Sequence, residues 1–327
     1  MRQIPILSAQ HLQLGYRNHL VTEDLSFELF EGELTCLMGP NGVGKSTLIK
    51  ALIGSNPPIK GDLILNGKNM NEFSRKSLSR QMSVVLTDRI TSGNMRVKDL
   101  VALGRLPFTG WWGHLGINDL MVIENVLQAT HIEYIKDSRI SEISDGQLQK
   151  TMIARALAQD GKIMVLDEPT AHLDLINRFE IMFLLKNLAK ESYKAILVVT
   201  HDLEIALETA DKLWIMSCNN PLTSGSPEEL MISGKINELI PGEKWRINSN
   251  SGKIELKFPF QFPKIIAPDN LKTWIQSAIK KLHPLSLPPH MIIKATQQPF
   301  TIEIQEGPNN YGFSSLSEFK AYLKKNF

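Results

Sequence analysis

The chain has 327 residues, enough for one large domain or for a large domain with a smaller one appended. Its apolar content of 43% and charged content of 21% are ordinary for a globular protein, and its net charge of +2 gives no reason to expect nucleic acid as a partner. No apolar run approaches the roughly 18 residues of a membrane-spanning helix, and the start, MRQIPIL, lacks a signal-peptide pattern. Two cysteines favour a reducing compartment.

The first 90 residues carry mainly strand patterns. Residues 4–16 and 25–30 alternate between apolar and polar side chains, which predicts an N-terminal β portion. The segment Leu34–Gly39 is a short apolar run typical of a buried strand. Asp62–Lys68 reads as a strand that closes in an Asn-Gly turn, and Met82–Leu86 reads as another short buried strand.

The buried strand at Leu34–Gly39 leads into GPNGVGKST, which fits the pattern G-x-x-x-x-G-K-[ST]. The segment that follows has apolar residues at helical spacing and reaches Gly54, a typical C-cap. A strand, a glycine loop and a helix in this order direct backbone N–H groups at a phosphate. The loop therefore predicts a site for a nucleoside triphosphate. Its residues are Gly39, Pro40, Asn41, Gly42, Val43, Gly44, Lys45, Ser46 and Thr47.

The central part of the chain alternates between helix and strand patterns. Helical signals dominate residues 97–130, and residues 174–190 also read as a helix. Two apolar strands, at 161–169 and 194–202, each run into polar residues. This alternation predicts an α/β fold in which a parallel sheet binds its ligand along the carboxyl edge.

The character of the sequence changes after about residue 219, where turn residues and prolines become frequent. We predict a domain over 1–240 and a small appended α+β unit over 241–327. The second segment holds 12 Lys/Arg against 6 Asp/Glu, which leaves 24 against 28 for the first. This excess of positive charge fits a solvated surface, and it also fits contact with an acidic partner or with lipid headgroups.

Three further motifs follow the glycine loop in the order of the chain. ISDGQLQK lies at 143–150, Asp167 and Glu168 end one apolar strand, and His201 ends another. Each has an ordinary structural explanation, such as a helix N-cap or a strand end. Together, they resemble the nucleotide-binding subunit of an ATP-binding cassette (ABC) transporter over about residues 4–231. The resemblance implies a P-loop core of ABC type, with a helical subdomain at about 90–160.

The resemblance assigns roles to particular residues. Lys45 reaches the β- and γ-phosphates of ATP, while Ser46 and Asp167 hold Mg²⁺. Glu168 polarises the attacking water, and His201 contacts the γ-phosphate. Tyr16 matches the aromatic residue that stacks on adenine. The signature motif is matched by Ser144, Gly146 and Gln147, which bind the γ-phosphate of ATP held by a second copy in a head-to-tail homodimer.

Three positions depart from the pattern of the family. Thr87 stands where a glutamine usually helps to hold Mg²⁺ or water, and its shorter side chain puts that contact in doubt, although Asp88 beside it could compensate. Asp145 replaces the first glycine of the signature motif and adds a carboxylate near a phosphate site. Lys150 replaces an arginine, which keeps the charge but loses the fork geometry. With Asp167, Glu168 and His201 in place, a working ATPase is still predicted.

The string LVALGR-x-P within 97–113 resembles the ATPases of importers for ferric siderophores, haem and vitamin B12. In these importers the region receives a helix of the permease, and Phe108, Trp111 and Trp112 suit such a docking groove. A helical-subdomain core is the alternative for these aromatics. The resemblance implies a multi-spanning permease, an external substrate-binding protein and a place on the cytoplasmic face of a bacterial inner membrane.

Other functions stay open at this stage. A soluble ABC ATPase would hydrolyse ATP without a membrane partner, although two cassettes or a coiled-coil insertion would then be usual, and the sequence shows neither. A nucleotide-gated regulator with low turnover fits the departures at Thr87 and Asp145. An exporter is disfavoured by the LVALGR segment.

Overall fold

A computed structural model describes residues 3–16, 19–86, 94–110, 113–218, 220–240, 242, 244–249, 251–257, 262–282, 287–288 and 290–327. The strands are β1 Leu7–Tyr16, β2 His19–Leu29, β3 Leu34–Met38, β4 Lys60–Leu65, β5 Lys68–Asn69, β6 Met82–Val85, β7 Ile163–Asp167, β8 Ala195–Val199, β9 Lys212–Ile215, β10 Thr223–Gly225, β11 Trp245–Ile247, β12 Ile254–Leu256, β13 Lys264–Ile266, β14 Ile292–Gln297, β15 Phe300–Glu306 and β16 Asn309–Phe313. The helices are α1 Lys45–Leu52, α2 Arg75–Ser79, α3 Val97–Ala102, α4 Ile117–Ala129, α5 Asp145–Ala158, α6 Leu175–Glu191, α7 Leu203–Thr209, α8 Pro227–Ile232, α9 Asp269–Lys280 and α10 Leu316–Asn326. None of these helices is long and apolar enough to cross a membrane.

A six-stranded sheet forms the centre of the first part of the chain. Its order is β10-β9-β3-β8-β7-β6, and every pair is parallel except β10 with β9. Strands β3 and β8 are buried along their whole length, which explains their continuous apolar sequences. Because β3, β7 and β8 run in the same direction, the residues that follow them meet at one edge of the sheet. The predicted α/β P-loop core is confirmed.

A second sheet is antiparallel and has the order β2-β1-β4-β5. Between β4 and β5 the chain turns at Asn66 and Gly67, whose φ angles are 50° and 73°. Positive φ at both positions is what a two-residue hairpin turn requires, and Asn-Gly is the pair that adopts it most readily. The predicted N-terminal β portion and its Asn-Gly turn are therefore both confirmed.

The helical segment between the strands is held together by Arg105. This side chain is buried, and its Nε donates to Asp119 Oδ1 at 2.8 Å while a terminal nitrogen donates to the Ala158 carbonyl at 2.8 Å. The two bonds join the end of α3 to both α4 and α5. Next to it, Gly104 packs directly on the Arg155 carbonyl, where a Cβ atom would have no room. This segment is thus a packed helical layer, as its apolar spacing predicts.

The chain folds as two compact units, 1–255 and 256–327. The division lies after Glu255, later than the boundary at 240 expected from composition. Ile247 belongs to the core of the first unit, and its backbone N–H donates to Asn237 Oδ1 at 2.7 Å. A buried residue and its hydrogen bond therefore extend the first unit past the change in composition.

The second unit has a four-stranded sheet of order β13-β14-β15-β16 with two helices, α9 and α10. Its core includes Ile275, Ile293, Ile302 and Phe319, all fully buried. The sequence predicts strands near 291–296 and 300–305 and helices near 271–282 and 315–326. Strands β14 and β15 and helices α9 and α10 match them within a few residues. The edge strands β13 and β16 were not predicted, because one has three residues and the other contains two asparagines and a glycine.

We expect Phe319→Ala to unfold the second unit selectively. The ring is fully buried and packs on Phe313 with a centroid distance of 5.9 Å, so its removal leaves a cavity that costs about 3–5 kcal/mol. Hydrogen exchange followed by mass spectrometry should show faster exchange across 264–326 and little change across 19–240. Ser317→Ala, at an exposed position of the same helix, is the control. Equal exchange in Phe319→Ala and wild type would contradict the prediction.

Candidate active site

The glycine loop joins β3 to α1 through backbone conformations that need glycine. Gly44 has a φ of 108°, and a Cβ atom there would collide with Thr22. A Cβ atom at Gly39 would collide with the Met216 carbonyl. Helix α1 then begins at Lys45 with no capping side chain and no acidic residue in its first turn. Its first N–H groups therefore have the positive partial charge that attracts an anion.

Lys45 lies deep in this loop. Its side chain is 8% exposed, and Nζ donates to the Gly39 carbonyl at 2.7 Å and to the Pro40 carbonyl at 3.0 Å. Burial lowers the pKa of the amine, while the charges of Glu168 and Asp167 act in the opposite direction. The carboxylates of Glu168 and Asp167 therefore favour the charged form of the amine. Its hydrogen-bond acceptors, however, are two neutral backbone carbonyls.

Two carboxylates and an imidazole stand at the ends of the neighbouring strands. Asp167 is the last residue of β7 and pairs in register with Val199, two residues before His201. Glu168 follows with a φ of 48°, a left-handed conformation that is strained for a residue with a side chain. Its Oε1 lies 2.9 Å from Nε2 of His201. Burial, and then the adjacent Glu168 carboxylate, raise the pKa of Asp167.

A cavity of about 420 Å³ connects the loop with these strand ends. It is lined by Val21, Asn41, Gly42, Gly44, Lys45, Ser46, Thr47, Asp167, Glu168 and His201. The structure therefore brings together one ammonium group, two hydroxyls, two carboxylates and an imidazole. Oxygen donors beside the N-terminus of a helix suit a triphosphate with a hard divalent cation, so the residues present fit Mg²⁺ and ATP. Val43 does not line this cavity and packs in the hydrophobic core.

Tyr16 lies at the end of β1, beside α1. Its hydroxyl bonds to the Thr47 side chain, which lowers the pKa of the phenol, and Lys50 Nζ lies 5.6 Å from the ring centroid. The side chain is 41% exposed, so part of the ring is accessible to a ligand. Tyr16 is not among the residues that line the cavity, but it contacts a residue that does.

The signature residues form a separate group at the start of α5. Ser144 is its N-cap, since its hydroxyl accepts from the Gln147 N–H at 3.3 Å and its own N–H donates to Gln147 Oε1 at 2.9 Å. Gly146 packs so closely on α6 that a Cβ atom would lie 2.9 Å from Asn177 Oδ1. None of these three residues lines the cavity that holds Lys45. Within one chain they form a second, distinct face.

The three residues that depart from the family pattern lie in different surroundings, and one of them is outside the described residues. Thr87 and the neighbouring Asp88 lie outside the residues that the structure describes. Asp145 is exposed in the first turn of α5. Lys150 forms an ion pair with Glu180 at 2.9 Å, so the retained charge joins α5 to α6.

A polar network around Asp202 was not anticipated from the sequence. The Asp202 carboxylate accepts from Thr170 Oγ1 and from Arg178 Nη1, both at 3.2 Å. Arg178 also donates from Nε to the Leu173 carbonyl at 2.8 Å. The network joins the residue after His201 to the segment that follows Glu168. The only signal in the sequence is that Asp202 directly follows His201. Arg178 lies 24 residues earlier in the chain, so no short motif contains both partners.

We expect Asp167→Asn to raise the thermal stability of the free protein and to lower ATP hydrolysis strongly. The folded-state pKa of Asp167 lies above its ordinary value, so its ionised form is disfavoured by folding, and that cost grows as pH rises through the raised pKa. Asparagine removes the charge at similar size. Because Asp167 is a predicted Mg²⁺ ligand, its replacement should lower Mg²⁺-dependent turnover at least about a hundredfold. Melting curves at pH 7 without nucleotide, beside ATPase assays, check both effects; a lower melting temperature would contradict the first.

Comparisons with known proteins agree with this arrangement. The sequence profile of the family described as ABC transporter matches residues 22–171. An uncharacterised ABC transporter ATP-binding protein of Methanocaldococcus jannaschii is 41% identical over 77% of this chain and 87% of that protein. The ferric enterobactin transport ATP-binding protein FepC of Escherichia coli is 32% identical over 71% of this chain and 86% of that protein.

Solved structures show the same similarity. CbiO1 of Clostridium perfringens, part of the ABC transporter complex CbiONQ, matches with a TM-score of 0.63 and 29% identity, over 72% of this chain and 96% of that one. The similarities in sequence and fold coincide with a glycine loop, two carboxylates and a histidine around one cavity. The chain therefore belongs to the ABC transporter family as an ATP-binding subunit, and its enzymatic activity is the hydrolysis of ATP.

Proposed function

We propose that this protein energises the uptake of an iron chelate or a cobalamin through a partner permease. The observation that carries the proposal is the convergence of Lys45, Ser46, Asp167, Glu168 and His201 on one cavity, in a chain similar to a ferric enterobactin transport subunit. The LVALGR-x-P segment supports the import direction. Selection of the cargo belongs to the permease and to an external binding protein.

The roles of the site residues follow from where their atoms lie. Lys45 exchanges its two loop carbonyls for phosphate oxygens, which are stronger partners because they are charged. Ser46 and Asp167 would hold Mg²⁺ through their side-chain oxygens, and the cation would supply positive charge that offsets the charge of the phosphates. Glu168 holds and orients the attacking water. His201, already 2.9 Å from Glu168, keeps that carboxylate in place and faces the terminal phosphate.

The separate face at Ser144 supports a homodimer. Gly146, Gln147 and Ser144 open a 14-residue helix whose N-terminus is exposed, and they lie away from the chain's own glycine loop. A second copy in head-to-tail orientation brings this face to the terminal phosphate, where the helix N-terminus favours the anion. Tyr16, whose ring is partly exposed, stacks on the adenine ring. Two nucleotides are then enclosed between two copies.

A membrane permease is the second partner. The groove beside α2, β6 and α5 has a volume of about 860 Å³ and is the place where a permease helix docks. Phe108, expected in such a groove from the sequence, does not line it. The guanidinium carbons of Arg105 and Arg80 lie 4.1 and 5.2 Å from the centroid of its ring. Trp111 and Trp112 lie outside the described residues. Docking there places the protein at the cytoplasmic face of the membrane.

Purification from detergent-solubilised membranes, followed by reconstitution, tests the proposal. We expect a multi-spanning permease in the eluate, and we expect ATP turnover in proteoliposomes to rise when a loaded chelate-binding protein is added. The stimulation of ATP turnover is compared for binding proteins loaded with a ferric siderophore, with haem and with cobalamin. ATP hydrolysis with no permease in the eluate would instead identify a soluble ABC ATPase. A bound nucleotide with negligible turnover in every condition would identify a regulatory protein.

A further inference from the structure

The separate face at Ser144 includes an exposed tyrosine. Tyr134 lies in a single helical turn, Glu133–Ile135, between α4 and α5, and its side chain is 75% exposed. The backbone on both sides is anchored, because Ile132 and Ile135 are buried in the hydrophobic core and the Ile135 N–H donates to the Ile132 carbonyl at 3.1 Å. The exposed ring is therefore carried by a fixed segment of the helical layer.

The phenol of Tyr134 is bonded to the signature motif. Its oxygen lies 3.0 Å from Nε2 of Gln147, which is 13 positions later in the chain. At the other end of the same amide, Oε1 accepts from the Ser144 N–H at 2.9 Å. Because a backbone N–H can only donate, it fixes the orientation of the amide, and the amide nitrogen then donates to the phenol. The Gln147 side chain is thus held at both ends of its amide.

This arrangement leaves one hydrogen of Ser144 available. The Ser144 hydroxyl accepts from the Gln147 N–H at 3.3 Å, a bond that uses its oxygen and not its hydrogen. Ser144 is exposed, and nothing among the described residues accepts that hydrogen. A hydroxyl with a free hydrogen at the N-terminus of a helix suits a phosphate oxygen. Its orientation depends on Gln147, which bonds to both the hydroxyl and the backbone N–H of Ser144.

Helix α8 begins with the same kind of cap and shows what helix initiation alone requires. The Ser226 N–H donates to Glu229 Oε2 at 3.3 Å, and the Glu229 N–H donates to Ser226 Oγ at 3.2 Å. Within the described part of the chain, no phenol bonds to Glu229. The cap of α8 therefore forms without the third residue that holds the cap of α5. The bond from Gln147 to Tyr134 points to a role beyond starting a helix.

We propose that Tyr134 is a positioning residue of the signature motif. By holding the Gln147 amide, it keeps the Ser144 hydroxyl oriented toward the terminal phosphate of a nucleotide bound to the second copy. The inference rests on the proposed homodimer and adds a residue to its composite site. Tyr134 does not line the cavity that holds Lys45, so it should govern closure of the dimer and not the first binding of ATP to the glycine loop.

ATP-driven dimerisation tests this role. All variants also carry Glu168→Gln, so that ATP is not consumed, and light scattering after size exclusion follows the dimer as ATP is increased. Tyr134→Phe keeps the ring but removes the hydroxyl, and we expect half-maximal dimerisation to need about tenfold more ATP. A fluorescent ATP analogue, titrated at protein concentrations too low for dimerisation, should bind with unchanged affinity. Tyr134→His offers a ring nitrogen as acceptor and should recover part of the loss. Tyr193→Phe, at a 65% exposed position just before β8, is the control.

A double-mutant cycle shows whether Tyr134 acts through Gln147. In Gln147→Ala protein the phenol has no amide to hold, so adding Tyr134→Phe should cause no further loss of dimerisation. Equal losses in both backgrounds, or dimerisation of Tyr134→Phe at the same ATP concentration as its parent, would overturn the inference. A fall in both melting temperature and affinity for the analogue would also overturn it, since the phenol would then serve folding alone. Failure of Glu168→Gln itself to dimerise with ATP would instead refute the proposed homodimer, and the inference with it.

Discussion

Replacing Glu168 with glutamine is expected to lower ATP turnover by about 10²–10⁴-fold, the usual contribution of a positioned general base. The amide keeps the size of the side chain and can still bond to His201, whose Nε2 lies 2.9 Å away. It can no longer accept a proton from water. Steady-state phosphate release at saturating Mg²⁺ and ATP measures the effect. Glu191→Gln, at an exposed position at the end of α6, is the matched control.

The same variant should trap the closed dimer. Because binding is intact and hydrolysis is slow, ATP should shift Glu168→Gln to twice its mass in size-exclusion chromatography with light scattering, while ADP should not. This separates chemistry from binding in one experiment. If Glu168→Gln and wild type turn over ATP at equal rates, Glu168 is not the residue that activates water.

Replacing Lys45 with methionine is expected to weaken ATP binding by about two orders of magnitude, since charge-assisted bonds to phosphate are lost from a partly desolvated site. Methionine preserves most of the buried apolar length of lysine, so α1 should still form. The Gly39 and Pro40 carbonyls lose a donor, which predicts a small loss of stability as well. Equilibrium titration with a fluorescent ATP analogue measures the affinity.

A matched variant separates this effect from a general change in charge. Lys60→Met removes an exposed lysine at the start of β4 and should bind ATP as the wild type does. Circular dichroism should show the same helix content in both variants. Unchanged affinity in Lys45→Met would mean that the loop carbonyls, rather than phosphate, are the lasting partners of this amine.

The nucleotide site could be predicted from the sequence for two reasons. Its phosphate loop is a continuous segment, and its other residues follow strands that run parallel in one sheet. Gly39–Thr47 forms its phosphate loop within nine residues, and the loop follows a strand that is recognisable as a continuous apolar run. Asp167 and His201 are far apart in the chain, but Asp167 ends one parallel strand and His201 follows the end of the next, and such ends meet at one edge of the sheet. The alternation of strands and helices therefore predicted that these residues would lie close together.

The groove could not be predicted in the same way. Its lining runs from Ala51 to Gln159 and combines two sheets with three helices, so no short pattern describes it. Phe108 illustrates the problem. Its aromatic ring suggested a docking surface, but Arg80, 28 positions earlier, covers one side of it, and that contact has no signature in the sequence. Side-chain contacts between distant segments decide such surfaces.

The second unit shows a different limit. Its helices α9 and α10 have apolar residues at helical spacing and were predicted, whereas β13 has only three residues and β16 contains two asparagines and a glycine. These two strands are defined by their neighbours: Lys264–Ile266 pairs with β14, and Asn309–Phe313 pairs with β15. Tertiary pairing, rather than local preference, makes them strands.

The close packing of Gly146 on Asn177 has a mechanical consequence. Asn177 donates from its backbone and its side chain to Asp174 at 2.9 and 2.8 Å, so the start of α6 is a rigid corner. Lys150 and Glu180 clamp the same two helices one turn further on. We therefore expect the start of α5 and the turn at Asp174 to move together. A displacement of either one, by a nucleotide or by a neighbouring subunit, should then displace both.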